Sequence, residues 1–205
     1  MDCWAIIPAK PFHAGKSRLA ALLGVDERAA LNRRLFGRVL DAALGTFPAD
    51  RILVVTTDPL LLALMRGQGL HALEDTECGI NAALALGCRH AVEHGARSIV
   101  ALASDLPNVT SGDVAALRAS VNDAPACTIA PDEQEQGTNA LALTPPAADF
   151  FKFGPDSFQA HLAAARARKL AVRILRRPGL ALDLDTPENY RRFAKEQHIP
   201  SGAMA

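Results

Sequence analysis

The sequence predicts an α/β fold, a single-domain mixed and mostly parallel sheet flanked by helices, on three observations. Short apolar, β-branched runs recur at 4–7, 52–56, 99–103 and 128–130. Helical patterns lie between them, the alternation that builds a largely parallel sheet. Helix starts are marked by a capping side chain ahead of a proline, at Asp58-Pro59 and at Thr186-Pro187-Glu188. At 205 residues and 49% hydrophobic content, the chain is long enough for one substantial core and too short for two ordinary ones. One domain over 1–205 is expected, its core at about 2–196 and a short mobile tail at 197–205.

The first strand, 4–7, runs into Pro8-Ala9-Lys10-Pro11 and, within one loop's length, Gly15-Lys16-Ser17-Arg18-Leu19. A buried strand followed by two lysines and an arginine suits a nucleotide's phosphates, so Lys10, Lys16 and Arg18 are the expected triphosphate grip. A P-loop is the nearest alternative, since Gly15-Lys16-Ser17 supplies its last three positions. Lys10 occupies its first glycine position, where a side chain fills the space the loop needs to curl round phosphate.

Next, 28–44 sets Leu31, Leu35, Phe36, Val39, Leu40 and Leu44 on one stripe, a core-facing amphipathic helix. Gly79-Ile80-Asn81-Ala82-Ala83-Leu84 opens another helical run: Gly79 permits close backbone approach, and the Asn81 amide can bond a base edge. Thr110 with Asp113 reads as a capping box. Past 130 the regular alternation lapses, with a strand expected at 137–143, a break at Pro145-Pro146 and a helix at 156–169, so strand order there can depart from a simple doubly wound sheet. No repeat or linker marks a domain boundary.

Lys+Arg and Asp+Glu are equal at 22 each, which gives no global field for nucleic acid or a membrane surface and points to a small partner. Cys3, Cys78, Cys88 and Cys127 lack the close pairing of a zinc or dithiol site and read as buried thiols. No apolar run approaches bilayer length, so a cytoplasmic protein is expected. Oligomeric state is not legible in sequence; a homodimer is the assembly considered.

Asp105, in Ser104-Asp105-Leu106-Pro107, directly follows the strand ending near 103, where ligands of open α/β sheets sit. A loop acid capping the turn before Pro107 explains it equally well when taken alone. Asp183 and Asp185 are two residues apart, so on extended chain both project to one face, and two such carboxylates repel unless a cation lies between them. Asp185 as an acid at the helix start beside Pro187 is the simpler reading of one carboxylate, not of all three. Three acids for a hard cation such as Mg2+ and three bases for phosphates are the parts of metal-assisted nucleotidyl transfer. Gly137-Thr138-Asn139 and Phe153-Gly154-Pro155-Asp156-Ser157 add a possible anion cradle at a helix start, or an ordinary glycine turn capped by Asp156 or Ser157. His161, four residues past Ser157, shares its helical face and is left outside the catalytic set.

This ordered set, from Ile7-Pro8-Ala9-Lys10-Pro11 through Asp105-Leu106-Pro107, Gly137-Thr138-Asn139-Ala140-Leu141 and Phe153-Gly154-Pro155-Asp156-Ser157-Phe158 to Asp183-Leu184-Asp185-Thr186-Pro187, resembles the 2-phospho-L-lactate guanylyltransferase family of coenzyme F420 biosynthesis. The resemblance runs from about 4 to about 193. It implies a nucleotide-diphospho-sugar transferase-like, Rossmann-like fold, with GTP and a small phosphorylated carboxylic acid as substrates. The acceptor would be 2-phospho-L-lactate, phosphoenolpyruvate or 3-phospho-D-glycerate, and pyrophosphate would leave. By motif, magnesium falls on Asp105, Asp183 and Asp185, and the phosphorylated acid on Thr138, Gly154 and Ser157. One departure bears on the acceptor: Asp132-Glu133-Gln134-Glu135-Gln136 stands where the family commonly has a basic or glycine-rich stretch. Ala9 also stands where a valine is frequent, a small volume change. The rivals are a nucleotidyltransferase acting on a sugar phosphate or a pterin, and a non-catalytic nucleotide-binding regulatory protein.

Overall fold

The computed structural model describes residues 2–77, 79–121 and 125–196. Strands β1 (Cys3–Ala9), β2 (Ile52–Thr56), β3 (His71–Glu74), β4 (Ser98–Leu102), β5 (Ala126–Pro131), β6 (Thr138–Thr144) and β7 (Ala171–Ile174) form one sheet, ordered β3-β2-β1-β4-β6-β5-β7. Every pairing is parallel except those of β6, which runs antiparallel to both β4 and β5. The helices are α1 (Val25–Leu44), α2 (Pro59–Gly67), α3 (Ile80–Glu93), α4 (Ser111–Ala119), α5 (Ser157–Ala167), the short α6 (Pro178–Ala181) and α7 (Pro187–Glu196).

The two-residue period of a strand divides the core. In β1 it sends Cys3, Ala5, Ile7 and Ala9 to one face, against α1, α2 and α4, and Trp4 and Ile6 to the other, against α3 and α5. α3 lies so close to β1 that a Cβ on Gly87 would stand 2.7 Å from Ile6 Cγ2. A third apolar cluster lies apart from these layers. Leu19, Leu23, Leu31 and Leu35 pack there with Leu182, Leu184, Tyr190 and Phe193, joining the loop after β1 and α1 to the segment before α7.

The caps behave as their sequences require. The Asp58 carboxylate accepts from the Leu60 and Leu61 amides, Thr110 and Asp113 close a reciprocal box, and Thr186 Oγ1 accepts from the Asn189 amide. Cys3, Cys88 and Cys127 are buried free thiols, with burial pushing Cys88 up to about 11 and Cys127 to about 12; Cys78 and the tail at 197–205 lie outside the described residues. Among the described residues, no helix is long and apolar enough to cross a membrane.

Three details depart from the sequence reading. The strand expected at 99–103 stops at Leu102, the helix expected at 156–169 spans Ser157–Ala167, and the edge strands β3 and β7 were not anticipated. The departure from doubly wound order past 130 is present, and its form is the antiparallel insertion of β6 between β4 and β5.

Candidate active site

The chain leaves β1 for β2 and β3 on one side and returns to β4 on the other, so connections reverse between β1 and β4. The crevice beyond the carboxyl ends of those strands is the ligand-binding position of open α/β sheets. The loop carrying Lys10, Lys16 and Arg18 leaves β1 there, and Asp105 leaves β4 beside it.

Backbone geometry rules out a P-loop. Two short 3-10 turns, Phe12–Ala14 and Ser17–Leu19, flank Lys16, and the first α-helix begins only at Val25, so no helix N-terminus meets phosphate at Gly15-Lys16-Ser17. The loop is instead pinned to α1. Asn32 Nδ2 donates to the Phe12 carbonyl at 2.6 Å, the Phe12 and Phe36 rings lie 5.7 Å apart, and a Cβ on Gly15 would meet Asn32 Nδ2 at 2.6 Å. Leu19 then anchors the loop in the third cluster.

Lys16 holds left-handed backbone geometry at φ 59°, which a non-glycine residue adopts only under constraint. Its Nζ donates to Asp105 Oδ2 at 2.6 Å and to Asp185 Oδ1 at 3.0 Å, with its side chain only 3% exposed. Burial would lower the pKa of this ammonium, but Asp105 and Asp185 raise it overall. Arg18, on the exposed turn, lies near enough to contribute to Asp185's field, and Lys10 is exposed just past β1.

Asp183 and Asp185 alternate with Leu182 and Leu184, whose side chains fill the third cluster. Apolar side chains on one face therefore hold both carboxylates on the other. Asn189 Nδ2 donates to the Asp183 carbonyl at 3.0 Å, tying the segment to α7. Burial, then Asp105 and Asp185, push the Asp183 carboxyl up to about 6. Asp185 goes the other way: burial would raise it, but Lys16, a hydrogen bond to Asp105 and the charge of Arg18 together lower it. The site thus concentrates more negative charge than Lys16 alone neutralises; its oxygens are the donor type a hard divalent cation takes, and in the present geometry Lys16 Nζ holds the place between Asp105 and Asp185.

The second half of the site sits at the start of β6. Thr138 N donates to Ser157 Oγ at 2.9 Å, and Thr138 Oγ1 lies 3.0 Å from His161 Nδ1. The Lys152 amide donates to His161 Nε2 at 3.0 Å, so the neutral ring carries its proton on Nδ1 and presents it to Thr138. Burial pushes His161 down to about 4, against a hydrogen bond to the Ser157 backbone and with Lys152 adding to the fall. Gly154 has φ 138°, a conformation that favours glycine, and opens the turn into α5. The alternative of an ordinary turn capped by Asp156 or Ser157 does not hold: Asp156 makes no side-chain cap and the Ser157 hydroxyl serves Thr138. Asn139 joins the halves, accepting from the Ala103 amide through its carbonyl and donating from Nδ2 to Leu180 O at 2.9 Å.

Two expectations change. Asn81 donates from Nδ2 to the Phe153 carbonyl at 2.9 Å and accepts from the Phe153 amide at 2.7 Å, so its amide holds the segment leading to Gly154 rather than standing free for a base. Gly79, at φ 139°, starts the helix that makes this contact. The acidic stretch after β5 is locally neutralised: Asp132 accepts from the Gln136 and Gly137 amides, Glu133 pairs with both Arg192 terminal nitrogens, and Glu135 pairs with Arg176. Asn32 and Asn189 carry no motif in sequence, because an amide that bonds main chain leaves no local signal, whereas Asn139 belongs to the Gly137-Thr138-Asn139 motif and its amide bonds main chain.

The family model of CofC-like guanylyl transferases matches residues 3–193. A phosphoenolpyruvate guanylyltransferase of Rubrobacter xylanophilus is 43% identical, covering 94% of each chain, and one of Sphaerobacter thermophilus is 39% identical over 100% of this chain and 98% of that protein. A 3-phospho-D-glycerate guanylyltransferase of Colwellia psychrerythraea is 29% identical, covering 92% and 90%. In fold, the chain is similar to a structure from Desulfovibrio desulfuricans G20 assigned to the nucleotide-diphospho-sugar transferases, at TM-score 0.76 and 18% identity, covering 98% of this chain and 89% of that one. It is also similar to CMP:2-keto-3-deoxy-manno-octonic acid synthetase, at TM-score 0.62 and 15% identity, covering 96% and 98%. With its motifs set around the β1/β4 crevice and matched along nearly its whole length, the chain belongs to the CofC-like guanylyl transferase family and is a nucleotidyltransferase.

Proposed function

We propose that this enzyme transfers GMP from GTP to the phosphate of phosphoenolpyruvate, releasing pyrophosphate, as a step of coenzyme F420 biosynthesis. The observation that carries the reading is the convergence of Lys16, Asp105, Asp183 and Asp185 at the β1/β4 crevice beside the Thr138–Ser157–His161 group. The names of the relatives at 43% and 39% identity favour phosphoenolpyruvate over 3-phospho-D-glycerate.

In this reading Lys10, Lys16 and Arg18 hold the GTP phosphates, and Asp105, Asp183 and Asp185 hold Mg2+. The bound cation would supply charge neutralisation on the triphosphate. Lys16 is shared between Asp105 and Asp185 in the present geometry and would be free to hold phosphate once those carboxylates held a cation. Thr138, oriented by His161 through its accepting Oγ1, directs its own proton to the acceptor, with Gly154 and Ser157 shaping the same pocket. The acceptor phosphate is already ionised at neutral pH, so no general base is needed; it attacks the α-phosphorus in line and pyrophosphate departs.

The test is pyrophosphate release with GTP and Mg2+ against phosphoenolpyruvate, 2-phospho-L-lactate and 3-phospho-D-glycerate in parallel. Turnover with phosphoenolpyruvate at least about tenfold above the other two is expected. Release with another acceptor moves the substrate assignment, and silence with all three in folded protein removes the reaction.

A further inference from the structure

At the far end of the sheet from the crevice, three histidines meet. His71 opens β3, and His90 and His94 lie four residues apart on the last turn of α3 and just past it, so one face presents both. One ring nitrogen from each lies within 4.8 Å of the other two. His71 Nδ1 and His90 Nε2 are 2.9 Å apart, and His94 Nδ1 lies 2.8 Å from the His90 carbonyl. That last contact places the His94 proton on Nδ1 and leaves Nε2 as a lone pair, the arrangement in which a backbone carbonyl orients a metal-ligating imidazole.

We propose that His71, His90 and His94 form a second metal site, for Zn2+ or a similar borderline transition cation, with a fourth position open to water. Three imidazoles and no carboxylate are a ligand set for such metals, not for Mg2+. Tetrahedral coordination at the usual Zn–N length puts ligand nitrogens about 3.3 Å apart, between the 2.9 Å that separates His71 Nδ1 from His90 Nε2 and the 4.8 Å that bounds the cluster. His94 is exposed and His71 and His90 are half-buried, so the cluster is open to ions from solvent. Burial together with mutual repulsion holds His71 and His90 below their ordinary range. Nearby charge is mixed, with Asp50 and Glu93 favouring a cation and Arg51 opposing it. The site would tie the edge strand β3 to α3.

The molecule carries its own reporter. Trp4, the single tryptophan of the chain, is fully buried with its ring centroid 4.7 Å from His71, 5.9 Å from His90 and 5.7 Å from His94. Untagged, chelator-stripped protein in excess Mg2+, which fills the carboxylates, is titrated with Co2+ while Trp4 fluorescence and visible absorption are followed. Saturable quenching at one equivalent, with the intense absorption of tetrahedral Co2+ and its reversal by Zn2+, is expected. Affinity should fall at least about tenfold in His94→Ala and in His94→Gln, both at an exposed position that leaves folding intact, and stay unchanged in Asp183→Asn. Zn2+ should raise the Tm of the parent protein and not of those His94 variants. No saturable binding below about 1 mM, or equal affinity in the His94 variants, overturns the proposal.

Discussion

His161 shows what a single buried side chain contributes. Its ring accepts from Lys152, donates toward Thr138 and is fully buried, so it stays neutral with a pKa of about 4 against an ordinary 6.5. As pH falls, the unfolded chain takes up the proton first. The stability tied to neutral His161 is therefore complete above about 6.5 and drains as pH falls toward 4, a total of about 3 kcal/mol. Denaturant unfolding of His161→Gln, which keeps hydrogen-bonding groups and does not titrate, should show a flatter curve across that window. A profile identical to the parent's would mean that His161 is not held neutral. In sequence this residue was a lone histidine on the Ser157 face, because nothing local reveals that its partners are Thr138 and the Lys152 amide. The crevice residues were plainer: Lys16, far from Asp105 and Asp185 in the chain, is in direct contact with both. Asn81 misled, since a free amide and an amide engaged with main chain look alike in a sequence.

At the scale of elements, the site depends on how the Asp183–Asp185 segment is seated. Leu184 is fully buried in the third cluster, and Leu184→Ala should cost about 2–5 kcal/mol in unfolding experiments because a cavity opens beneath both acids. Asn189→Ala removes the tie from α7 to the Asp183 carbonyl while leaving the cluster packed. Its kcat should fall about 10–100-fold with little change in Tm, and a parent-like kcat would show that the segment needs no such tie. The central strands and capped helices were legible because β-branched runs and Asp-Pro or Thr-Pro starts are local signals. β3 and β7 were not: each has four residues at a sheet edge, and β7 is largely exposed, so neither shows a buried run. The antiparallel placement of β6 is a tertiary choice, visible in sequence only as the lapse of alternation.

For the whole molecule, a zero formal net charge hides a strongly polar crevice beyond the strand ends, in which Lys16 bridges Asp105 and Asp185 and Asp183 lies within their field. The acidic stretch at 132–135 appeared to oppose an anionic acceptor, yet its carboxylates are bound to Arg192, Arg176 and their own loop amides. The sequence patterns therefore picked out residues that the fold brings to one crevice, while the partners that neutralise the acidic stretch needed the fold. The proposed reaction depends on a cation held by the carboxylates at the β1/β4 crevice. Its most direct test is Mg2+-dependent pyrophosphate release from GTP and phosphoenolpyruvate by the parent enzyme and by Asp183→Asn, with circular dichroism on both. Turnover that vanishes without Mg2+ and falls at least about a thousandfold in a folded Asp183→Asn is expected. A folded Asp183→Asn that turns over at the parent rate, or a parent rate indifferent to Mg2+, would contradict it.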